Sequence, residues 1–118
     1  MAERRIGEVC AGIGKATGAE IEVDYRQAHP VTFNRPEEAD FVAQVAQEVA
    51  GTVDRAVRPV MAGEDFSHML TARPGAFIFI GNGDSAGLHH PAYDFDDEAI
   101  PAGVSYWVRL AETALGSR

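Results

Sequence analysis

The chain has 118 residues, 46% of them hydrophobic, and a formal charge of −8 from 18 acidic against 10 basic residues. A chain of that length and composition builds one modest core, and it reads as globular rather than disordered or fibrous. No basic stripe interleaves with aromatics to engage a phosphate backbone, and no apolar run is long enough to span a bilayer, so neither nucleic acid nor membrane is an expected partner.

A single cysteine, Cys10, leaves no internal disulfide, and the start Met1-Ala2-Glu3-Arg4-Arg5 has no apolar segment of the signal-peptide kind. The expected compartment is a reducing, cytoplasmic one. From Glu3 to Thr17 the apolar residues Ile6, Val9, Cys10 and Ile13 recur at helical spacing, and Gly18 suits the left-handed residue that ends a helix. Residues 20–26 then alternate, with Ile21, Val23 and Tyr25 on one side and charges on the other, which predicts a strand with one wet face. A helix and a strand alone cannot bury either apolar face, so cover from elsewhere is expected.

His29-Pro30 favours extended backbone. Asn34 is read as the N-cap of a helix with Pro36 in its first turn and Glu37 at the capping-box position; Val42, Val45, Ala46 and Val49 give its buried stripe and Gly51 its end. Residues 56–60 predict a short edge strand, because Pro59 has no donor for a central ladder. Gly63-Glu64-Asp65-Phe66 opens a short helix running toward Leu70, with the two acids placed for capping and for the helix dipole.

Ala76-Phe77-Ile78-Phe79-Ile80 is too short for a typical helix and reads as a buried central strand. The loop that leaves it, residues 81–97, gathers glycines, His89, His90 and several carboxylates where ligands sit in open α/β sheets. A last acidic helix start at Asp96-Asp97 leads into Ile100, Val104, Trp107, Val108, Ala111 and Leu115, a stripe expected to be core. His29 and His68 are expected to be structural or surface residues.

Three motifs in order, Met61-Ala62-Gly63-Glu64-Asp65-Phe66-Ser67, Pro74-Gly75-Ala76-Phe77 and residues 88–99, resemble the C-terminal part of the metal-dependent amidohydrolases. These include hippurate hydrolase, the indoleacetyl-amino-acid hydrolases, aminoacylase and carboxypeptidase G. The resemblance implies an α/β fold: residues 30–118 as the C-terminal portion of a zinc-peptidase-like catalytic domain, strands with flanking helices. Residues 1–29 would be the last helix and strand of an inserted α+β lid domain, the surface through which such proteins form homodimers. It also implies that His89, two positions before Pro91, is a metal ligand for zinc, manganese or cobalt in the intact enzyme, and that Gly63, Glu64 and Asp65 border the pocket of an N-acyl or N-aroyl amino acid. For His89 the residues alone also allow a turn histidine satisfied by Asp94 or by a backbone carbonyl.

The family's general base and most of its metal ligands belong to motifs this chain does not contain, such as H-x-D; its one Glu-Glu pair, Glu37-Glu38, starts a helix. A catalytic zinc needs about three protein ligands, so one histidine does not make a site. The chain is therefore expected to hold no catalytic residue, to bind no metal tightly alone and to be inactive alone. Three readings follow: a piece of an amidohydrolase cleaving hippurate-like substrates, one subunit of a split enzyme completed by a partner carrying the N-terminal catalytic half, or a non-catalytic small acidic α/β binding or assembly module.

Overall fold

The computed structural model describes residues 1–116, so the last two residues of the expected 30–118 unit lie outside the described residues. Among the described residues four helices form where the sequence places them: α1 (Ala2–Thr17), α2 (Pro36–Ala50), α3 (Phe66–Ala72) and α4 (Ala99–Leu115). Arg4 and Arg5 both reach Glu8 one turn on, a local support for α1. Gly18 and Gly51, at φ of 76° and 69°, take the left-handed turns that end α1 and α2, each donating its N–H back into the last turn. Pro36 sits at the first position of α2, where its missing donor would have had no partner.

Arg35, not Asn34, occupies the N-cap of α2, and no side chain caps that helix. Asn34 is used elsewhere. Its Nδ2 donates to the Phe77 carbonyl and its Oδ1 accepts the Phe77 N–H, both at 2.8 Å, so one amide side chain pairs with a backbone peptide as a neighbouring strand would. Sequence-local capping loses here to a contact 43 residues away.

Residues 20–26, 56–60 and 76–80 run as non-helical connections, and no strand forms among the described residues. A strand exists by virtue of its ladder partner, and these segments have none among the described residues; the α/β arrangement stays an expectation about a sheet completed by other strands. The 76–80 run is half-buried rather than central: Phe77 packs between Phe66 and Phe79, with ring centroids 5.7 and 5.1 Å away, while Phe79 and Ile80 face outward.

The packed centre lies between α2 and α4, and no other pair of helices touches among the described residues. Val45 from α2 is fully buried, Tyr106 from α4 nearly so, and Val42, Ala46 and Val49 line the same side of α2 as expected. Burial pushes the Tyr106 phenol above its ordinary value of 10.0. Arg109 Nε reaches Glu48 Oε2 at 3.5 Å across the rim, an exposed pair worth about 0–1 kcal/mol.

The expected core stripe of α4 is not the buried one. Ala99, Gly103, Tyr106 and Leu110 turn inward, whereas Ile100, Val104, Trp107, Val108, Ala111 and Leu115 are exposed, Trp107 at 65%. The helix is apolar on two sides and has one partner. Gly103 lies on the inward side, where Ile80 Cδ1 comes within 3.4 Å of the position a Cβ would take, and the bulkier side is left facing out.

The molecule is long, 69 × 35 × 21 Å, with a radius of gyration of 20.6 Å where a compact chain of this length would have about 13 Å. Its accessible surface of 10012 Å² also exceeds the roughly 6,000 Å² of a self-contained domain of this size. α1 buries no residue, and Ile21, Val23 and Tyr25 are all exposed, so the cover that the sequence demands for residues 1–29 does not come from the described chain.

Candidate functional site

Residues 82–96 form a loop whose two limbs meet at its base. The Asn82 side chain donates to the Asp94 carbonyl at 2.7 Å and accepts the Asp96 N–H at 2.9 Å. Ser85 Oγ donates to the Asp94 carbonyl at 2.9 Å and accepts the Asp94 N–H at 3.2 Å. Asp96 in turn starts α4: its Oδ1 accepts the Glu98 N–H at 2.9 Å and its carbonyl the Ala99 N–H at 3.0 Å. An open cleft of about 440 Å³ lies between the limbs, lined by Asn82, Ser85 and the carboxyl-bearing Asp84, Asp94, Asp96 and Asp97.

His89 sits at the tip. The His90 N–H bonds to the Gly87 carbonyl at 3.1 Å, which makes His89 the third residue of a tight turn, and its φ is 65°. Turns with a positive angle there favour glycine or asparagine, and an L residue carries about 1–2 kcal/mol of strain in that region. Among the described residues His89 is the one non-glycine at positive φ. Strain of this kind persists where the surroundings hold it, and it gathers at functional positions.

The neighbouring histidine is engaged differently. His90 Nδ1 accepts the Ala92 N–H at 3.1 Å, and its carbonyl accepts the Tyr93 N–H at 2.9 Å across Pro91. His90 thus builds the turn, while the His89 ring is exposed and hydrogen-bonded to nothing among the described residues. The Asp96 carboxylate is committed to the entry of α4.

Gly63, Glu64 and Asp65 lie before α3. Glu64 Oε1 accepts the Phe66 N–H at 3.0 Å, the capping role its position implies. Asp65 Oδ1 lies 3.2 Å from His29 Nδ1, and the His29 ring meets His68 edge-on at a centroid distance of 5.8 Å. A Cβ at Gly63 would meet His29 Cδ2 at 2.9 Å, so the glycine is what lets His29 close on this loop. His29 and His68, expected to be bland, are therefore brought together on the expected substrate loop. The hydrogen bonds of this loop and those of the 82–96 loop form separate networks among the described residues.

The donor set falls short of a metal centre. Among the described residues no group of three His, Cys, Asp or Glu side chains converges to hold an ion, so His89 stands as a single donor. No helix among them is long and apolar enough to cross a membrane.

Residues 3–113 match the family model described as peptidase family M20/M25/M40. The chain belongs to that family. It is 34% identical over 113 residues to a hippurate hydrolase of Campylobacter jejuni, a match covering 94% of this chain and 30% of that protein. N-acetyldiaminopimelate deacetylases of a Geobacillus species and of Streptococcus sanguinis are 31% and 28% identical, covering 90% and 88% of this chain and 28% of each relative. The chain thus spans under a third of the length of these M20 relatives. No solved structure matches it.

Within this M20 chain the sequence singled out His89 and the acidic loop but missed Asn82, Ser85 and Asn34 as loop-holding residues. Their signal is thin: an asparagine or serine among glycines looks like ordinary turn chemistry, and the distant backbone groups they read leave no periodicity.

Proposed function

We propose that the chain is the C-terminal portion of an α/β amidohydrolase catalytic domain over residues 30–118, preceded over residues 1–29 by the end of a lid domain. Its contribution to chemistry is His89, one donor to a divalent metal, zinc, manganese or cobalt, whose remaining donors and general base lie outside this chain. The observation that carries this is the pair at the loop tip: His90 is bonded into the turn, whereas His89 is held at φ 65° with its ring free. The reaction is hydrolysis of an N-acyl or N-aroyl amino acid, since the relatives' names, hippurate hydrolase and N-acetyldiaminopimelate deacetylase, both describe cleavage of an N-acyl bond. Gly63, Glu64 and Asp65 border the substrate.

The chain alone is inactive in this reading. Purified chain given hippurate or N-acetyl amino acids with zinc, manganese or cobalt shows no turnover; turnover that co-purifies with it and vanishes in His89→Ala would overturn the proposal. Mixing the chain with the part of the Campylobacter hippurate hydrolase that its match leaves uncovered probes the positive side. Activity that appears in the mixture and is lost with His89→Ala supports the donor role, and activity indifferent to that substitution defeats it.

Residues 1–29 associate with a second copy, because Ile6, Val9 and Ile13 on α1 and the open 20–26 segment lack cover. Light scattering on the full chain and on a version beginning at Pro30 checks this. A full-length chain that stays monomeric at high concentration, with residues 1–29 protected from exchange, removes the homodimer.

A further inference from the structure

We infer that Asn82 is a positioning residue for His89: its side-chain amide closes the base of the 82–96 loop and thereby fixes the left-handed backbone at the tip. The inference rests on the reading of His89 as a metal donor and goes beyond it, by naming what sets the donor's place.

Asn82 uses both ends of its amide, donating to Asp94 and accepting from Asp96, residues 12 and 14 positions away. Neither an aspartate nor a leucine of the same length can do both. The closure is close-fitting: Gly83 has φ 67°, which a side chain rarely adopts, and a Cβ on it would meet Asp96 Oδ2 at 3.1 Å, so Asp96 would have to give slightly. Ser85 holds the same strand of backbone from the other side through Asp94. Because Asp96 also begins α4, and α4 packs on α2, the closed base is tied to the best-packed part of the molecule.

His89 lies seven residues from Asn82 and seven from Asp96. Its positive φ is unfavourable for an L residue, and the turn hydrogen bond from His90 to Gly87 is its one local support among the described residues. On this inference, releasing the base gives the loop freedom and lets the tip relax to negative φ, whereas the pinned base limits that relaxation. Asn82 therefore acts on the imidazole through the backbone, without touching it.

Nuclear magnetic resonance on the full chain tests this with two readouts: the strong intraresidue amide-to-Hα contact that marks positive φ at His89, and amide exchange at Asp96. Asn82→Ala is expected to speed Asp96 exchange by roughly tenfold and to erase the His89 signature, with α2 and α4 amides still protected. Ser85→Ala should move both readouts the same way by less, and it decides the matter if Asn82→Ala loosens α2 and α4. Faster exchange at Asp96 with the His89 signature intact would overturn the inference, as would no change in either. A zinc titration of the unaltered chain tests the donor reading separately. His89 ring resonances that shift at lower zinc than those of His29, His68 and His90 support it; four histidines shifting together sink it, while the Asn82 result stands on its own readouts.

Discussion

The α2–α4 pair and the segment 1–29 start from similar sequence material and end differently. α1 is as clearly amphipathic as α2 and α4, and its glycine end and ion pairs are in order, yet it buries nothing, while α2 and α4 bury Val45 and Tyr106 against each other. Periodicity, then, is enough to write a helix but not to bury it; burial needs a partner at the right distance in the same chain. α4 repeats the lesson within one element, since its inner side is packed and its bulkier outer side is as bare as α1.

The sharpest way to break this contrast is Tyr106→Ala, expected to cost roughly 3–5 kcal/mol because it empties the centre of the packed pair. Chemical denaturation followed by circular dichroism reads it, and a loss below about 1 kcal/mol would mean that α2 and α4 are held by something else. Titration asks the same question more gently. The folded phenol of Tyr106 ionises above its ordinary value of 10.0, so its contribution is full below that pH and is lost as pH rises through the higher folded value. Stability should fall above about pH 10, and Tyr106→Phe should flatten that fall.

Trp107→Ala sharpens the contrast from the outer side of α4. A tryptophan 65% exposed and touching Tyr106 edge-on at 5.6 Å should cost no more than about 1.5 kcal/mol, against the larger loss expected from a core stripe. Smallest of all, His89→Ala should shift the thermal midpoint by no more than about 0.5 kcal/mol's worth of stability, as an exposed loop side chain. A Trp107 variant that melts as early as Tyr106→Ala would place the packed face where the sequence first put it.

What was legible followed from local rules. The four helices and the glycine ends at 18 and 51 came from spacing and caps, and the stripe Val42, Val45, Ala46 and Val49 was correctly taken as the inner side of α2. The buried face of α4 is not legible because both sides are apolar, and hydrophobicity alone cannot choose between them when the partner is unknown. Asn34 departs from its expected cap for a related reason: an N-cap is decided within four residues, and its real partner lies at Phe77. In the site, loop composition marks the segment and the family resemblance points to His89 within it, while the strained angle and the Asn82 closure are properties of backbone shape that no residue pattern displays.

The Asn34–Phe77 pair also fixes an order of events. Bringing together groups 43 residues apart from an open chain costs about 3 kcal/mol of loop entropy, more than two hydrogen bonds of about 1 kcal/mol each return. The pair therefore forms after α2 and the Phe66–Phe77 contact have already shortened the path between its ends. It is expected to form on the downhill side of the folding barrier. Replacing Asn34 should accordingly speed unfolding and leave the refolding rate nearly untouched, the behaviour of a late-forming latch.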